Sequence, residues 1–247
     1  MTLLNHIEEL QTRLEKASDE KTRKWFENYL KNAISYRGVK TPVVSKIVSS
    51  WRVDEGLYSL TLKKQMEIAC DLIREKKAED KFAGILYIQK YLLETIEADV
   101  LVRNFNRLYE QKAFADWSTT DWFCIRVLDP LIMRSENTVA QEIGSWYKSS
   151  NIWQRRSSIV SFRGSAKKNK HLAIIKRNIA SLVKENERFI QTAVGWLISE
   201  LSRHYPDKAS AIVSEHFRDL SYEVINRHTK YLPDHKKLKE RKRKSLR

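Results

Sequence analysis

Apolar side chains recur at steps of three and four residues along most of the chain. The clearest runs are Leu3, Ile7, Leu10 and Leu14; Leu62, Met66, Ala69, Leu72 and Ile73; and Phe82, Ile85, Leu86, Ile88 and Leu92. This spacing puts the apolar residues on one face of an α-helix. About a dozen such helices are predicted, and no stretch shows the alternation typical of a β-strand. The pattern therefore predicts an all-α protein.

Polar residues and prolines mark where the predicted helices begin. Serine, threonine and aspartate are favoured as helix caps, and proline fits the first helical position. The start signals are Ser18-Asp19-Glu20, Thr41-Pro42, Ser135, Ser149-Ser150 and Pro206. Pro206 also predicts the end of the preceding helix.

Many helices of similar length on short loops predict a HEAT-like helical-repeat solenoid, curved, with a concave basic face. A compact irregular helical bundle is the alternative. We expect one repeat domain over residues 1–232. Residues 233–247 are strongly basic with almost no apolar content, so they predict a flexible tail. A solvated chain end without a specific role is the alternative for this tail.

Composition narrows the class of protein. Apolar residues make up 42% of the chain and charged residues 31%, which is enough for a sizeable core and argues against global disorder. With only 6 Gly and 4 Pro among 247 residues, helices are favoured over sheets. The formal net charge of +15 indicates a polyanionic partner, with nucleic acid the leading candidate. A membrane surface and an acidic protein remain alternatives.

Cysteine usage and the chain start bear on the compartment. Cys70 and Cys124 sit in apolar helical patterns without zinc-ligand spacing, so we expect buried free thiols in a reducing cytosol. No secretory signal is evident at the N-terminus, and no apolar run is long enough to span a bilayer. The six histidines show neither metal-ligand nor catalytic-triad spacing.

The segment from Trp117 to Trp122 is the strongest candidate for chemistry. Trp117 and Asp121 are four residues apart, so they share one helix face and can present an indole and a carboxylate to one ligand. A carboxylate is a poor choice on a surface built to attract anions. This conflict favours a chemical role for Asp121 over simple binding.

Two later residues fit the same repeat rhythm. Arg156 follows Asp121 by 35 residues, and Trp196 follows Arg156 by 40. Helical-pair repeats have a period of roughly 35–47 residues. The spacing therefore predicts that these residues hold similar places in successive repeats and line one face.

Four short motifs, taken in order, make the chain resemble a known family. They are Gly-Val-Lys-Thr-Pro at 38–42, Trp-x-x-x-Asp at Trp117 and Asp121, Trp-x-x-Arg at Trp153 and Arg156, and Ala-Val-Gly-Trp ending at Trp196. On a basic, all-helical chain, these motifs resemble the AlkD-like DNA alkylation repair family, the HEAT-like repeat alkylpurine DNA glycosylases. The resemblance runs from Tyr29 to Leu232.

The resemblance implies a reaction and the residues that carry it. Asp121 matches the catalytic carboxylate, and Trp117 and Trp196 match aromatics that pack against the deoxyribose around the lesion. The implied enzyme is a monofunctional glycosylase that releases cationic N3- and N7-alkylated purines from double-stranded DNA without base flipping. It implies no metal and no organic cofactor. We expect a monomer in the cytoplasm, associated with the nucleoid through DNA.

The resemblance also implies contacts with the DNA backbone. Arg156 matches a residue that holds a phosphate near the site, and Thr41, with Lys40 beside it, matches a turn near the opposite strand. Arg155 is a rival for the phosphate role, since only one of two adjacent residues can face the groove. Trp122 is an additional aromatic that we include among the DNA contacts.

The chain departs from the family pattern at two positions. Asp116 stands where a second tryptophan is usual, and Ser199 stands where an arginine is common three residues after the Gly-Trp pair. These differences bear on rate and substrate range rather than on reaction type.

Structural alternatives exist for each of these residues. Ser118-Thr119-Thr120-Asp121 fits a capping box, in which Asp121 serves only its own helix end. A lone tryptophan is often a core aromatic, and a lone arginine is often a surface ion-pair partner. Asp129 and Glu200 are carboxylates near the predicted face, but no motif includes them. At the level of function, the alternatives are a non-catalytic protein that binds distorted or branched DNA and a protein-binding scaffold.

Overall fold

The computed structural model describes residues 3–135 and 137–245, so Leu246 and Arg247 of the predicted tail lie outside it. Sixteen α-helices occupy most of this range, which confirms the predicted all-α class. Within it, the β-type pairing is a single isolated bridge between Ser35 and Lys77. None of the described helices is both long and apolar enough to cross a membrane.

The chain packs as two compact units, one ending at Val127 and the other beginning at Leu128, and the second includes the helix of the predicted tail. The helices of the first unit are α1 (Leu3–Lys16), α2 (Glu20–Tyr29), α3 (Thr41–Asp54), α4 (Leu62–Arg74), α5 (Ala78–Tyr87), α6 (Ala98–Glu110) and α7 (Trp117–Phe123). Those of the second unit are α8 (Asp129–Arg134), α9 (Asn137–Ser145), α10 (Ile152–Val160), α11 (Arg163–Lys167), α12 (Leu172–Leu182), α13 (Arg188–His204), α14 (Pro206–Glu215), α15 (Tyr222–His228) and α16 (His235–Lys244). Short 3₁₀ turns lie at Leu57–Ser59 and Trp146–Lys148, and π-helical turns at Ile88–Leu92 and Cys124–Leu128.

Several predicted starts coincide with helix boundaries. Asp19 caps α2 by accepting a hydrogen bond from the Thr22 backbone N–H, and α14 begins at Pro206 directly after α13 ends. The start predicted at Ser149-Ser150 lies just before the observed start of α10, because the side chain of Asn151 caps this helix. Ser135 is the C-cap residue of α8 and lies shortly before Asn137, where α9 begins.

The core of the first unit is centred on α4 and α5. A Cβ atom on Gly84 of α5 would lie 2.5 Å from the Ala69 carbonyl oxygen of α4, so the two helices approach as closely as a glycine permits. Trp51 of α3 is fully buried and its indole N–H donates to the His6 carbonyl at 2.9 Å. This packing fixes α5, whose residues support both candidate segments of the unit.

Helix α13 is the central element of the second unit, and α10, α11, α14 and α15 pack against it. Buried polar side chains join the neighbouring segments. The Gln191 amide donates to the carbonyls of Val183 and Glu185 at 2.7 and 3.0 Å, and its oxygen accepts from the Ser221 N–H at 2.9 Å. The start of α13 is thereby fixed relative to the loops on either side.

The predicted flexible tail is a packed helix over most of its length. Leu238 and Lys242 of α16 are buried. The Lys242 ammonium donates to the carbonyls of Phe217 and Arg218 at 3.1 and 2.8 Å, and the Arg241 guanidinium lies 4.1 Å from the centre of the Phe217 ring. The basic composition predicts disorder here, because composition alone does not show that a lysine side chain is buried and donates to backbone carbonyls.

Candidate functional site

Helix α7, which carries the Trp117–Asp121 pair, is capped by Asp116. The Asp116 carboxylate accepts from the backbone N–H groups of Ser118 and Thr119 at 2.8 and 3.0 Å and also from both of their hydroxyls. Asp121 is the fifth residue of the helix, beyond the first-turn N–H groups that need a cap. The capping-box interpretation of Asp121 is therefore wrong.

The Asp121 side chain is enclosed while its tryptophan neighbour is half-buried. Asp121 is 4% exposed, and Thr120 and Phe123 beside it are fully buried. Trp117 lies one turn earlier on the same helix face and meets the Tyr29 ring edge-on, with centroids 6.4 Å apart. A carboxylate in an enclosed position interacts strongly with any positive charge that forms close to it.

Trp122 lies against α5 and a neighbouring cation. Its ring centroid is 4.7 Å from that of Phe82, and the Arg126 guanidinium lies 4.9 Å from its centre. Trp122 is half-buried, and the π-helical turn at Cys124–Leu128 begins two residues later. Its predicted contact with DNA stays a prediction.

The turn before α3 is held by a buried carboxylate. Glu79 of α5 is fully buried and accepts hydrogen bonds from three backbone N–H groups, those of Arg37, Gly38 and Val39, at 2.9, 2.8 and 3.0 Å. Gly38 has φ +93°, a left-handed conformation that favours glycine. A Cβ atom there would also lie 2.1 Å from the Asp19 carbonyl oxygen, so only glycine fits this turn.

This turn presents Lys40 and Thr41 at the start of α3. Lys40 is exposed and Thr41 is half-buried. Lys40 occupies the cap position without a side-chain hydrogen bond to the helix, and Thr41 is the first helical residue. We predicted Thr41 as the cap of this helix, but the cap residue is Lys40, one position earlier.

The two adjacent arginines of α10 have different partners. The Arg155 guanidinium forms a two-pronged ion pair with Glu185, with both N···O distances 3.0 Å. Arg156 is 3% exposed and donates to the Phe189 carbonyl and, at 3.1 Å, to the Thr192 hydroxyl on α13. Both guanidinium groups are engaged with protein, and the predicted phosphate role of Arg156 stays a prediction.

Trp196 of α13 is half-buried beneath a cation that sequence patterns did not indicate. The Arg163 guanidinium of α11 lies 5.0 Å from the centre of the indole and pairs with Glu200 at 3.0 Å. Ser199, where the family pattern favours arginine, is half-buried on the same helix. Arg163 reaches Trp196 from another helix, so no spacing along the chain could have revealed the contact.

A histidine lies beside the Gly195-Trp196 pair. A Cβ atom on Gly195 would lie 2.5 Å from a ring carbon of His228, so the glycine makes room for this side chain. Burial lowers the pKa of His228 to about 4, and nearby Arg227 and Arg156 act in the same direction. His228 is therefore neutral at neutral pH.

The ionisation of Asp129, a carboxylate of the second unit, is disfavoured by its surroundings. Burial raises its pKa to about 6, although the Gly164 backbone N–H donates to its two oxygens at 3.1 and 3.0 Å. Gly164 follows Arg163 directly, so Asp129 braces the segment that places Arg163 over Trp196. Glu200 is the other carboxylate that no motif includes. It lies on α13 and pairs with Arg163.

The remaining thiols and possible metal ligands add no further site. Cys70 and Cys124 are both buried thiols that form no disulfide, and burial raises the pKa of Cys70 to about 12. Within residues 3–135 and 137–245, no group of three or more His, Cys, Asp or Glu side chains is arranged to hold a metal ion.

The predicted residues thus fall into two groups, one in each unit. Trp117, Asp121, Trp122, Lys40 and Thr41 belong to the first unit, and Arg155, Arg156 and Trp196 to the second. The chain is basic and all-helical in the described residues, and its first unit holds an enclosed carboxylate on the same helix face as a tryptophan.

Comparison with known proteins gives the family. A family described as DNA alkylation repair enzyme matches residues 10–232, so the chain belongs to this family. Its structure is similar to that of a predicted DNA alkylation repair enzyme from Enterococcus faecalis, with a TM-score of 0.65 and 18% sequence identity over 82% of this chain and 94% of that chain. No curated protein matches the chain significantly. The protein acts in DNA repair, and DNA is its substrate.

Proposed function

We propose that the protein is a monofunctional DNA glycosylase that hydrolyses the N-glycosidic bond of cationic N3- and N7-alkylated purines in duplex DNA, without base flipping. The observation that carries this proposal is Asp121. Its carboxylate is enclosed on α7 one turn from Trp117, while Asp116 performs the capping. Family membership supports DNA repair, and the resemblance of the four motifs supports the reaction type.

The chemistry of the substrate explains the need for an anion. Alkylation at N3 or N7 gives the purine a positive charge, so the base leaves as a neutral molecule with the electrons of the glycosidic bond. Positive charge then develops on the sugar, as in the oxocarbenium-like transition state of glycoside hydrolysis. Asp121 stabilises that charge and accepts the proton of the water that adds to C1′. The electron-rich face of Trp117, on the same helix as Asp121, favours the same cation.

The leaving group needs no further activation, because it is already cationic. No lysine is assigned as a nucleophile, so the expected product is an intact abasic strand. Arg156, Lys40 and Thr41 are assigned to the phosphate backbone, with Arg155 as the rival of Arg156, and Trp122 is assigned as an additional DNA contact. We further propose that the protein works as a monomer in the cytoplasm, on the nucleoid.

The test compares two carboxylates of the same segment. Duplex DNA containing N7-methylguanine is incubated with the protein, and release of the free base is measured. We expect Asp121→Asn to lower the rate by about 10²–10³-fold, because the developing charge loses its counter-ion. Asp116→Asn is the matched control, since asparagine caps helices as well as aspartate does, and it should release base at a near-normal rate.

A normal rate in Asp121→Asn would refute the role of Asp121. Strand cleavage without alkali treatment would refute monofunctional chemistry. The second candidate function is structure-dependent DNA binding without base release, favoured by α16, on which six of the seven basic side chains are exposed. Tight binding with no base released from any alkylated duplex would support this second candidate and overturn the first.

A further inference from the structure

Helix α2 presents two stacked aromatic rings to solvent. Trp25 and Tyr29 lie one turn apart, with ring centroids separated by 5.3 Å and ring planes only 4° from parallel. Trp25 is 59% exposed and Tyr29 is 63% exposed. Aromatic side chains usually bury most of their surface, and contiguous apolar surface left open indicates a contact with a partner.

The stacked pair is anchored to the candidate site of the first unit. The Tyr29 ring meets Trp117 edge-on, and Trp25 meets the Phe26 ring at 80° with centroids 5.0 Å apart. Phe26 in turn stacks on the buried Tyr36 at 4.8 Å. The rings therefore belong to an aromatic cluster that is continuous with Trp117 of α7, while both residues stay largely exposed.

The charge around the pair suits a nucleic-acid strand. Lys21 lies one turn before Trp25 on the same strip of α2, and its side chain is exposed. Lys24 and Lys31 flank the strip and are also exposed. A cation followed by open aromatic faces is the arrangement with which proteins hold a phosphate and stack the adjoining base of an unpaired strand.

We infer that the Trp25–Tyr29 pair is a stacking platform for one unpaired nucleobase of the DNA substrate, with Lys21 at the adjoining phosphate. The inference rests on DNA as the substrate and goes beyond the proposed base release. The stacked base is not the damaged one, which the proposed reaction leaves in the helix. It is a base that a bulge, mismatch or strand end has released. The protein therefore favours DNA with an unpaired nucleotide over the fully paired duplex.

The test uses two duplexes that differ by one nucleotide and carry no alkylation. One is fully paired, and the other has a single bulged 2-aminopurine, whose fluorescence is quenched when an aromatic ring stacks on it. Affinity is measured by fluorescence anisotropy at fixed salt. We expect the protein to bind the bulged duplex about tenfold more tightly and to quench the 2-aminopurine, as base–aromatic stacking predicts.

Substitutions locate the effect. Trp25→Ala should abolish both the preference and the quenching, and Trp25→Phe should keep part of each, because a smaller ring still stacks. Tyr58→Ala is the matched control, since Tyr58 is 59% exposed in the same unit but lies in the 3₁₀ turn at Leu57–Ser59. Lys21→Ala should lower the slope of log affinity against log salt by about 1.

Two results would overturn the platform. One is equal affinity of the unsubstituted protein for the two duplexes. The other is a Trp25→Ala variant that keeps the preference and the quenching. The outcome is separable from that of the proposed function. Trp25-dependent bulge binding without base release would refute only the glycosylase, and normal base release without bulge preference would refute only the platform.

Discussion

The two units display their aromatic and charged side chains in opposite ways. In the first, Trp25 and Tyr29 are open to solvent, and the carboxylate of Asp121 is enclosed. In the second, Trp196 lies under a guanidinium, and Arg156 is buried against α13. Exposed aromatic rings and an exposed Lys40 thus characterise the first unit, whereas Arg155 and Arg156 of the second are already engaged with protein groups.

This difference shows that the net charge of the chain is not the same as the charge that is available to a ligand. The chain carries a formal net charge of +15. Arginines of the second unit such as Arg155, however, donate their N–H groups to carboxylates and carbonyls of the protein. Exposed lysines such as Lys40 need no rearrangement before they meet a phosphate. We therefore expect early DNA contacts at lysines and later ones at the predicted arginine.

The largest expected effect tests whether the surface of the first unit is preformed. Glu79→Ala leaves three buried backbone N–H groups without an acceptor in the turn that presents Lys40. We expect the free energy of unfolding to fall by about 4 kcal/mol, measured by urea denaturation. Glu97→Ala, at an exposed glutamate of the same unit, is the control and should change it by about 0.5 kcal/mol or less. Similar losses in the two variants would show that Glu79 does not hold the turn.

The next effect concerns pH and the second unit. The Asp129 carboxyl has a pKa of about 6 when folded, above its ordinary value of about 3.9, so its stabilising protonated form is lost as pH rises from 4 to 6. The His228 imidazole has a pKa of about 4 when folded, below its ordinary value of about 6.5, so its contribution is lost as pH falls from 6.5 to 4. The two groups therefore oppose each other over nearly the same range.

Single substitutions should expose each slope. The unsubstituted protein loses stability through Asp129 as pH rises from 4 to 6, and Asp129→Asn does not. The difference in unfolding free energy between the two should therefore change by about 2 kcal/mol in favour of the variant over this range, allowing for partial solvent screening. His228→Gln should gain a similar amount in the other direction, as pH falls from 6.5 to 4. Thermal unfolding across this range measures both. Curves that run parallel to that of the unsubstituted protein would refute the assigned pKa shifts.

The smallest effect separates the two arginines of α10. Arg156→Ala should weaken binding to duplex DNA about tenfold and lower the salt slope by about 1, if Arg156 leaves its protein partners to hold a phosphate. Arg155→Ala should cost about 1 kcal/mol of stability through the lost Glu185 pair and leave DNA affinity nearly unchanged. Affinities are measured by anisotropy, with Arg156→Lys to retain the charge. The reverse ranking of the two variants would assign the phosphate to Arg155.

Local signals in the sequence predicted the helices well. Step-three and step-four periodicity is a property of single segments, and Pro206 acts on its own neighbours. The start of α7 shows the limit of such signals. Ser118 and Asp116, two residues apart, are both suitable caps for this helix by residue type. Only the folded backbone shows that Asp116 is the one that reaches the first-turn N–H groups.

Contacts between distant segments were beyond prediction. Arg163 reaches Trp196, Glu79 reaches Gly38, and Lys242 reaches Phe217, each across more than 20 residues. None of these pairs has a spacing rule, because packing of separate helices decides them. Helix-face and repeat spacing single out Asp121 and Trp196 and the family resemblance gives them roles, whereas their partners are visible only in the structure.

The buried cysteines have a consequence for the protein's own chemical survival. The electrophiles that alkylate DNA also attack thiolates, which are the most nucleophilic side chains in proteins. Cys70 and Cys124 are both enclosed, and a pKa of about 12 keeps Cys70 in the unreactive thiol form. Burial thus protects both thiols from electrophiles in the surrounding solution.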